Sequence, residues 1–148
     1  MKGLAAIFLC FFAAAPAVTQ ENPFAKYGMA RTPSGAKLTP PIIPVAFRGE
    51  WNSEISACGT GSNDSRLLTS GRKISFYESD GDVKVVWLHT SRAITVSATY
   101  AGEGQVWDRA DRLVLSRSAN DLTITSADAN NTEANTFTRH RCPRRIKG

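Results

Sequence analysis

The chain has 148 residues, a formal net charge of +5 and 21% charged side chains, which limits it to one domain, because a single core takes roughly 100 to 150 residues. The positive charge is not a property of that domain: residues 45–137 carry nine Lys/Arg against twelve Asp/Glu, whereas 138–148 carry five basic side chains and no acid. A mildly acidic body with no basic face interleaved with aromatics argues against nucleic acid as a partner.

The first segment reads as an address rather than as structure. Lys2, an apolar run from Leu4 to Ala15, and small residues at Ala15 and Ala17 around Pro16 follow the order of a secretory signal peptide, and the run is too short for a membrane span. Cleavage is expected after Ala17, with Gln20 as the alternative, giving a periplasmic or secreted protein with no integral membrane segment. Leu9 stands before Cys10 where a lipoprotein site wants a small residue, which disfavours lipidation. Removing Cys10 leaves Cys58 and Cys142, and an even pair in an oxidising compartment usually bonds. The alternative, a two-cysteine metal site, lacks a histidine or second cysteine near Cys58.

Residues 18–44 hold Pro23, Pro33, Pro40, Pro41 and Pro44. Prolines at this density block both helices and sheet ladders, so the segment is expected to be a disordered linker that stiffens toward polyproline conformation at its end. The domain then runs over 45–143, with 144–148 as a basic tail. From Phe47 onward the hydrophobic period is two. Phe47, Gly49 and Trp51 share one face of a first strand; a short strand follows near Arg66 to Thr69; Ile74 and Phe76 share a face in Arg72 to Glu78; Val83, Val85 and Trp87 do so in Val83 to His89. Asp80-Gly81 between the last two is a hairpin-turn signal. Ile94, Val96, Ala98 and Tyr100 alternate with polar residues. Gln105 to Ser116 is apolar at its ends and polar between, which predicts one long bulged strand or two short ones. Leu122 to Ser126 and Thr136 to Cys142 complete about eight consecutive strands, with no helix.

This pattern predicts an all-β domain, an antiparallel up-and-down meander that closes into a small barrel, because closure removes exposed sheet edges. In a closed meander the last strand pairs with the first, which is where a Cys58–Cys142 bond fits. Antiparallel pairing places Cys142 near the start of the first strand, so the chain has to double back through Asn52 to Ser56.

Gly49-x-Trp51 at the start of a first strand, followed by a meander and an arginine near the last strand, resembles the calycin superfamily of lipocalins and avidin-like barrels. That resemblance implies Trp51 as a plug at one barrel end with Arg139 or Arg141 lying over it. Phe76-Tyr77-Glu78-Ser79-x-Gly81-x-Val83, Gly102-Glu103-Gly104-x-x-Trp107 and Arg141-Cys142-Pro143, together with Gly49-x-Trp51, Cys58, Ser65-Arg66-Leu67 and Leu113-x-Leu115-Ser116, are similar to a group of small exported bacterial proteins of unknown activity. The similarity implies an extracytoplasmic bacterial domain.

Groups for catalysis are sparse. His89 and His140 are the only imidazoles, no nucleophile-elbow spacing is present, and no metal-ligand spacing occurs, so the expectation is a non-enzymatic protein without a cofactor. Glu78, Asp80 and Asp82 offer oxygens for a hard cation, but turn chemistry accounts for Asp80 and Asp82. Glu78 shares strand parity with Ile74 and Phe76; pointing inward it needs a partner, for which Arg66, Arg109 and Arg112 are the candidates, and the rival placement is a wet rim. Two binding modes follow. In the leading one the barrel is filled and its loops or proline-rich arm recognise a protein partner. In the alternative, Phe76, Glu78, Val85, Trp87, Val96 and Trp107 line a site for a small apolar or amphipathic ligand.

Overall fold

The computed structural model describes residues 37–60, 63–128 and 135–143. Among the described residues nine strands run in chain order: β1 (Lys37–Thr39), β2 (Gly49–Asn52), β3 (Leu67–Thr69), β4 (Lys73–Ser75), β5 (Asp80–Thr90), β6 (Ala93–Gly102), β7 (Gln105–Leu115), β8 (Asp121–Asp128) and β9 (Asn135–Arg141). The described residues contain no α-helix, only two single turns of 3₁₀ helix at Val45–Phe47 and Ile55–Ala57. From β2 to β9 each strand pairs antiparallel with the next, and β9 returns to β2 through Trp51 opposite Arg141 and Asn52 opposite His140. Eight strands thus close an up-and-down barrel, as the period-two pattern and turn spacing predict.

The signal peptide expected at 1–17 and the basic tail at 144–148 lie outside the described residues. The linker boundary expected at residue 44 does not hold over its last eight residues. β1 adds to the edge of β5, pairing Lys37, Leu38 and Thr39 with Leu88, Trp87 and Val86, and Ile43 is fully buried with its N–H donated to Gly71 O at 2.8 Å. The prolines that prevent a long ladder leave room for a three-residue strand and an apolar anchor, and the folded unit begins earlier than composition suggests.

β6 is the most regular element, with Ile94, Val96, Ala98 and Tyr100 all buried. They meet Leu113 and Leu115 of β7 and Leu122 and Ile124 of β8 inside the barrel. β7 is one continuous strand in even register with β6 from Gln105 to Val114, neither bulged nor divided. The irregularity is in β5, where the register against β6 shifts between Val83 and Val85. An extra residue in a strand reverses the facing of all that follow, so Val83 and Val86 point inward while Val85 and Trp87 point outward.

The turn between β4 and β5 is also not where Asp80-Gly81 signals it. Phe76 donates its N–H to Ser79 O at 2.8 Å, making Phe76–Ser79 the turn, and Asp80, Gly81 and Asp82 are strand residues opposite Ser75, Ile74 and Lys73. Gly81 is required for packing: a Cβ there would lie 2.6 Å from the Tyr100 ring.

One barrel end is closed by Trp51, which is fully buried. Its indole N–H is shared between Phe47 O at 3.2 Å and Thr69 Oγ1 at 3.3 Å. Gly49 adopts φ +134°, a conformation open to glycine, as the chain leaves the Val45–Phe47 turn. The Cys58–Cys142 disulfide, with Cα atoms 5.5 Å apart, straps the β2–β3 loop against the outside of the wall. The loop doubles back through the Ile55–Ala57 turn until Gly59 N donates to Glu50 Oε1 at 2.8 Å, and Asn52, buried, accepts from Ser65 Oγ at 3.0 Å.

Candidate functional site at the open end of the barrel

The opposite end carries the β4–β5 and β6–β7 turns and the far side of the β2–β3 loop. It is not plugged. A cavity of about 440 Å³ opens there, within the roughly 300 to 1,000 Å³ usual for small-molecule sites. Its apolar walls are Phe76 and Phe137, with ring centroids 6.4 Å apart and planes at 77°. Asp64, Tyr77, Glu78 and Ser79 form one side of the rim, while Arg109, Ser126 and Arg139 reach it from the strands.

Strand alternation sets these positions. On β7, Trp107, Arg109, Asp111 and Leu113 share the inward face, because they oppose Tyr100, Ala98, Val96 and Ile94 of β6 in an unbroken ladder, and the buried Leu115 continues the alternation. The closed half of the barrel therefore receives leucines and the open half a charged pair. On β9, Phe137 and Arg139 oppose the inward Ile124 and Leu122.

Arg109 and Ser126 form the polar floor of the cavity, and behind them both bind Asp111, which has no solvent exposure. Tyr100 Oη donates to Asp111 Oδ2, Ser126 Oγ donates to Oδ1 at 2.5 Å, and Arg109 Nε lies 3.0 Å from Oδ1. A buried charge persists only when paired and hydrogen-bonded, and three donors meet that requirement. The Arg109 guanidinium packs against two rings, its carbon 4.5 Å from the Phe76 centroid and 4.1 Å from that of Tyr100, and the two rings touch each other with centroids 6.0 Å apart. Trp107 stacks on Tyr100, at 5.9 Å and 15°. Burial, then the Asp111 charge, push the Tyr100 hydroxyl well above the usual tyrosine range, against a smaller opposing pull from Arg109. Burial works to lower the Arg109 pKa, but Asp111 and then Tyr100 outweigh it and the group is held above its ordinary value. Arg109 Nη2 is shielded from solvent without a hydrogen-bond partner among the described residues.

Of the ligand residues expected from sequence, the structure brings Phe76 and Glu78 to the cavity. Val96 lies deeper in the core, and Trp107 backs the floor. Val85 and Trp87 are on the outer face, removed by the β5 bulge. Glu78 does not point inward from a strand; it is exposed in the Phe76–Ser79 turn. None of its three candidate partners reaches it: Arg66 pairs with Glu50 at 3.7 Å, Arg109 with Asp111, and Arg112 is exposed on the outer face of β7. The expected inward carboxylate is supplied by Asp111, which sequence reading passed over as part of a polar run. The available signal was the alternation Trp107-x-Arg109-x-Asp111-x-Leu113-x-Leu115, where an i, i+2 ion pair sits on an otherwise apolar strand face.

The arginines expected over Trp51 divide between the two ends. Arg141 lies over the indole, whereas Arg139 lies over Phe137, its guanidinium carbon 4.5 Å from the ring centroid. Arg139 Nε donates to Ser65 O at 2.7 Å and Nη1 to Thr138 O at 3.3 Å. Partial burial lowers its pKa from the ordinary arginine value. Comparison with known proteins finds no matching family model, no matching curated protein and no matching solved structure.

Proposed function

We propose that this is an extracytoplasmic, non-enzymatic binding barrel of calycin-like design that takes a small amphipathic ligand in the open-end cavity. The observation that carries the reading is the asymmetry of the interior. One end is sealed by Trp51, while the other holds a cavity with aromatic walls and a preformed, charge-paired floor. Such a concave site with few, fixed polar groups is the usual form of a small-molecule site. The disulfide is compatible with an extracytoplasmic location. The floor also favours binding over catalysis: Tyr100, Asp111 and Arg109 are tied to one another, and a tyrosine with a raised pKa is a poor proton shuttle near neutrality.

A second reading, recognition of a protein partner, has in its favour the exposure of Tyr77 and Val106 at the same barrel end. Native mass measurement of protein taken from its exporting host, followed by solvent extraction, separates the two. A reproducible small organic companion supports the cavity reading. Protein of bare polypeptide mass, under conditions that preserve non-covalent complexes, contradicts it and leaves the partner-recognition reading.

A further inference from the structure

We propose that the ligand of this cavity is an amphipathic monoanion, a carboxylate or sulfonate on an aryl or alkyl body, with Arg139 receiving its charge. This rests on the cavity-binding reading above. Two guanidinium groups line the cavity, and they differ in what they still need. Arg109 has a carboxylate at 3.0 Å and is neutralised by it. Among the described residues Arg139 has the carbonyls of Ser65 and Thr138 and the ring of Phe137. No carboxylate among the described residues stands within ion-pair distance of it. Carbonyl oxygens use two of the five N–H donors of a guanidinium without cancelling its charge, and partial desolvation makes that charge more costly to leave unmatched. An anionic oxygen arriving at Arg139 forms a charge-assisted hydrogen bond, stronger here than in water because the aromatic walls lower the local dielectric.

The remaining surfaces define the rest of the molecule. Phe76 and Phe137, edge to face, offer apolar area to an aryl or alkyl body. Asp64 and Glu78 hold two exposed carboxylates at the rim. Being solvated they need no partner, but they repel additional negative charge. A single anionic head is therefore accepted, and a dianion such as a phosphate monoester is disfavoured.

The test uses two fluorescent probes of nearly equal shape, 8-anilinonaphthalene-1-sulfonate, an aryl monoanion, and N-phenyl-1-naphthylamine, its neutral relative. Both are titrated into the folded, disulfide-bonded protein and into Arg139→Gln. The expected result is tighter binding of the sulfonate, a loss of at least about tenfold for it in Arg139→Gln, and a change of less than about threefold for the neutral probe. Raising the salt concentration from about 0.05 to about 0.5 M should weaken only the sulfonate, because exposed charges are screened; this readout on the unaltered protein holds even where Arg139→Gln folds poorly. Equal binding of the two probes, insensitive to both Arg139 and salt, overturns the anion assignment while leaving the cavity reading standing. Failure of both probes to bind contradicts the cavity reading itself.

Discussion

Arg141 places its guanidinium carbon 4.0 Å from the centroid of the Trp51 ring while donating to three backbone carbonyls: Ala119 O at 2.8 Å, Arg48 O at 3.1 Å and Ala46 O at 2.6 Å. One side chain thus ties the last strand, the β7–β8 turn and the entry into β2 around the plug. Trp51→Ala should cost about 3 to 5 kcal/mol, the range for emptying a buried tryptophan site, read as a fall in the denaturant midpoint. Arg141→Lys keeps the charge but cannot span three carbonyls, and a loss of about 1 to 3 kcal/mol is expected. Unchanged midpoints for both would mean that this end is not held by the pair.

The disulfide closes a loop with a sequence separation of 84. In the loop-closure treatment this stabilises the fold by about 4 to 5 kcal/mol, by restricting the unfolded chain. Alkylation of the unreduced protein under denaturing conditions should add no label at Cys58 or Cys142. Reduction should lower the melting temperature markedly; two labels without reduction would contradict the bond.

Gly81 faces Tyr100 closely enough that a methyl group has no room. Gly81→Ala should therefore destabilise by about 1 to 3 kcal/mol through overpacking, and it should also disturb the near-ultraviolet circular dichroism of the Tyr100–Trp107 stack. If Asp80-Gly81 were instead a solvent-exposed turn, the variant would leave that signal unchanged.

Tyr100 carries a pH prediction whose sign follows from its raised pKa. Above pH ~10 the unfolded chain loses the tyrosine proton and the folded protein keeps it. The unfolded state then binds fewer protons, so stability falls as pH rises, by up to ~1.4 kcal/mol per pH unit, until the folded-state pKa is passed. Below pH ~10 the contribution is fully present. Denaturant midpoints measured from neutral to strongly alkaline pH should show this decline, and Tyr100→Phe should make it shallower. An equal slope in the variant would remove Tyr100 as the cause.

The barrel was legible because its strands are half-buried and alternate: the β6 face follows from the period of two, and the Cys58–Cys142 closure from a meander that brings its last strand back to its first. What escaped was whatever broke or reused that period. The β5 bulge reverses Val85 and Trp87 through one added residue, and no local residue type announces it. Asp80-Gly81 carries turn chemistry, but the glycine serves a ring from the neighbouring strand, a contact set by register. Asp111 lay within a stretch whose polar residues suggested interruption; only its pairing with Arg109, Tyr100 and Ser126 makes an inward carboxylate tolerable, and those partners come from three strands. The cavity was half legible for the same reason, with Phe76 and Glu78 anticipated and the Asp111 floor not.

The most direct test of the open-end site is a ¹⁵N–¹H correlation spectrum of the disulfide-bonded protein, titrated with N-phenyl-1-naphthylamine. Saturable shifts concentrated at Phe76–Ser79, Arg109 and Phe137–Arg139, with little change around Trp51 and Arg141, are the predicted result. Shifts confined to the outer face around β1 and Trp87, or none at millimolar probe, would contradict a ligand site at that end of the barrel.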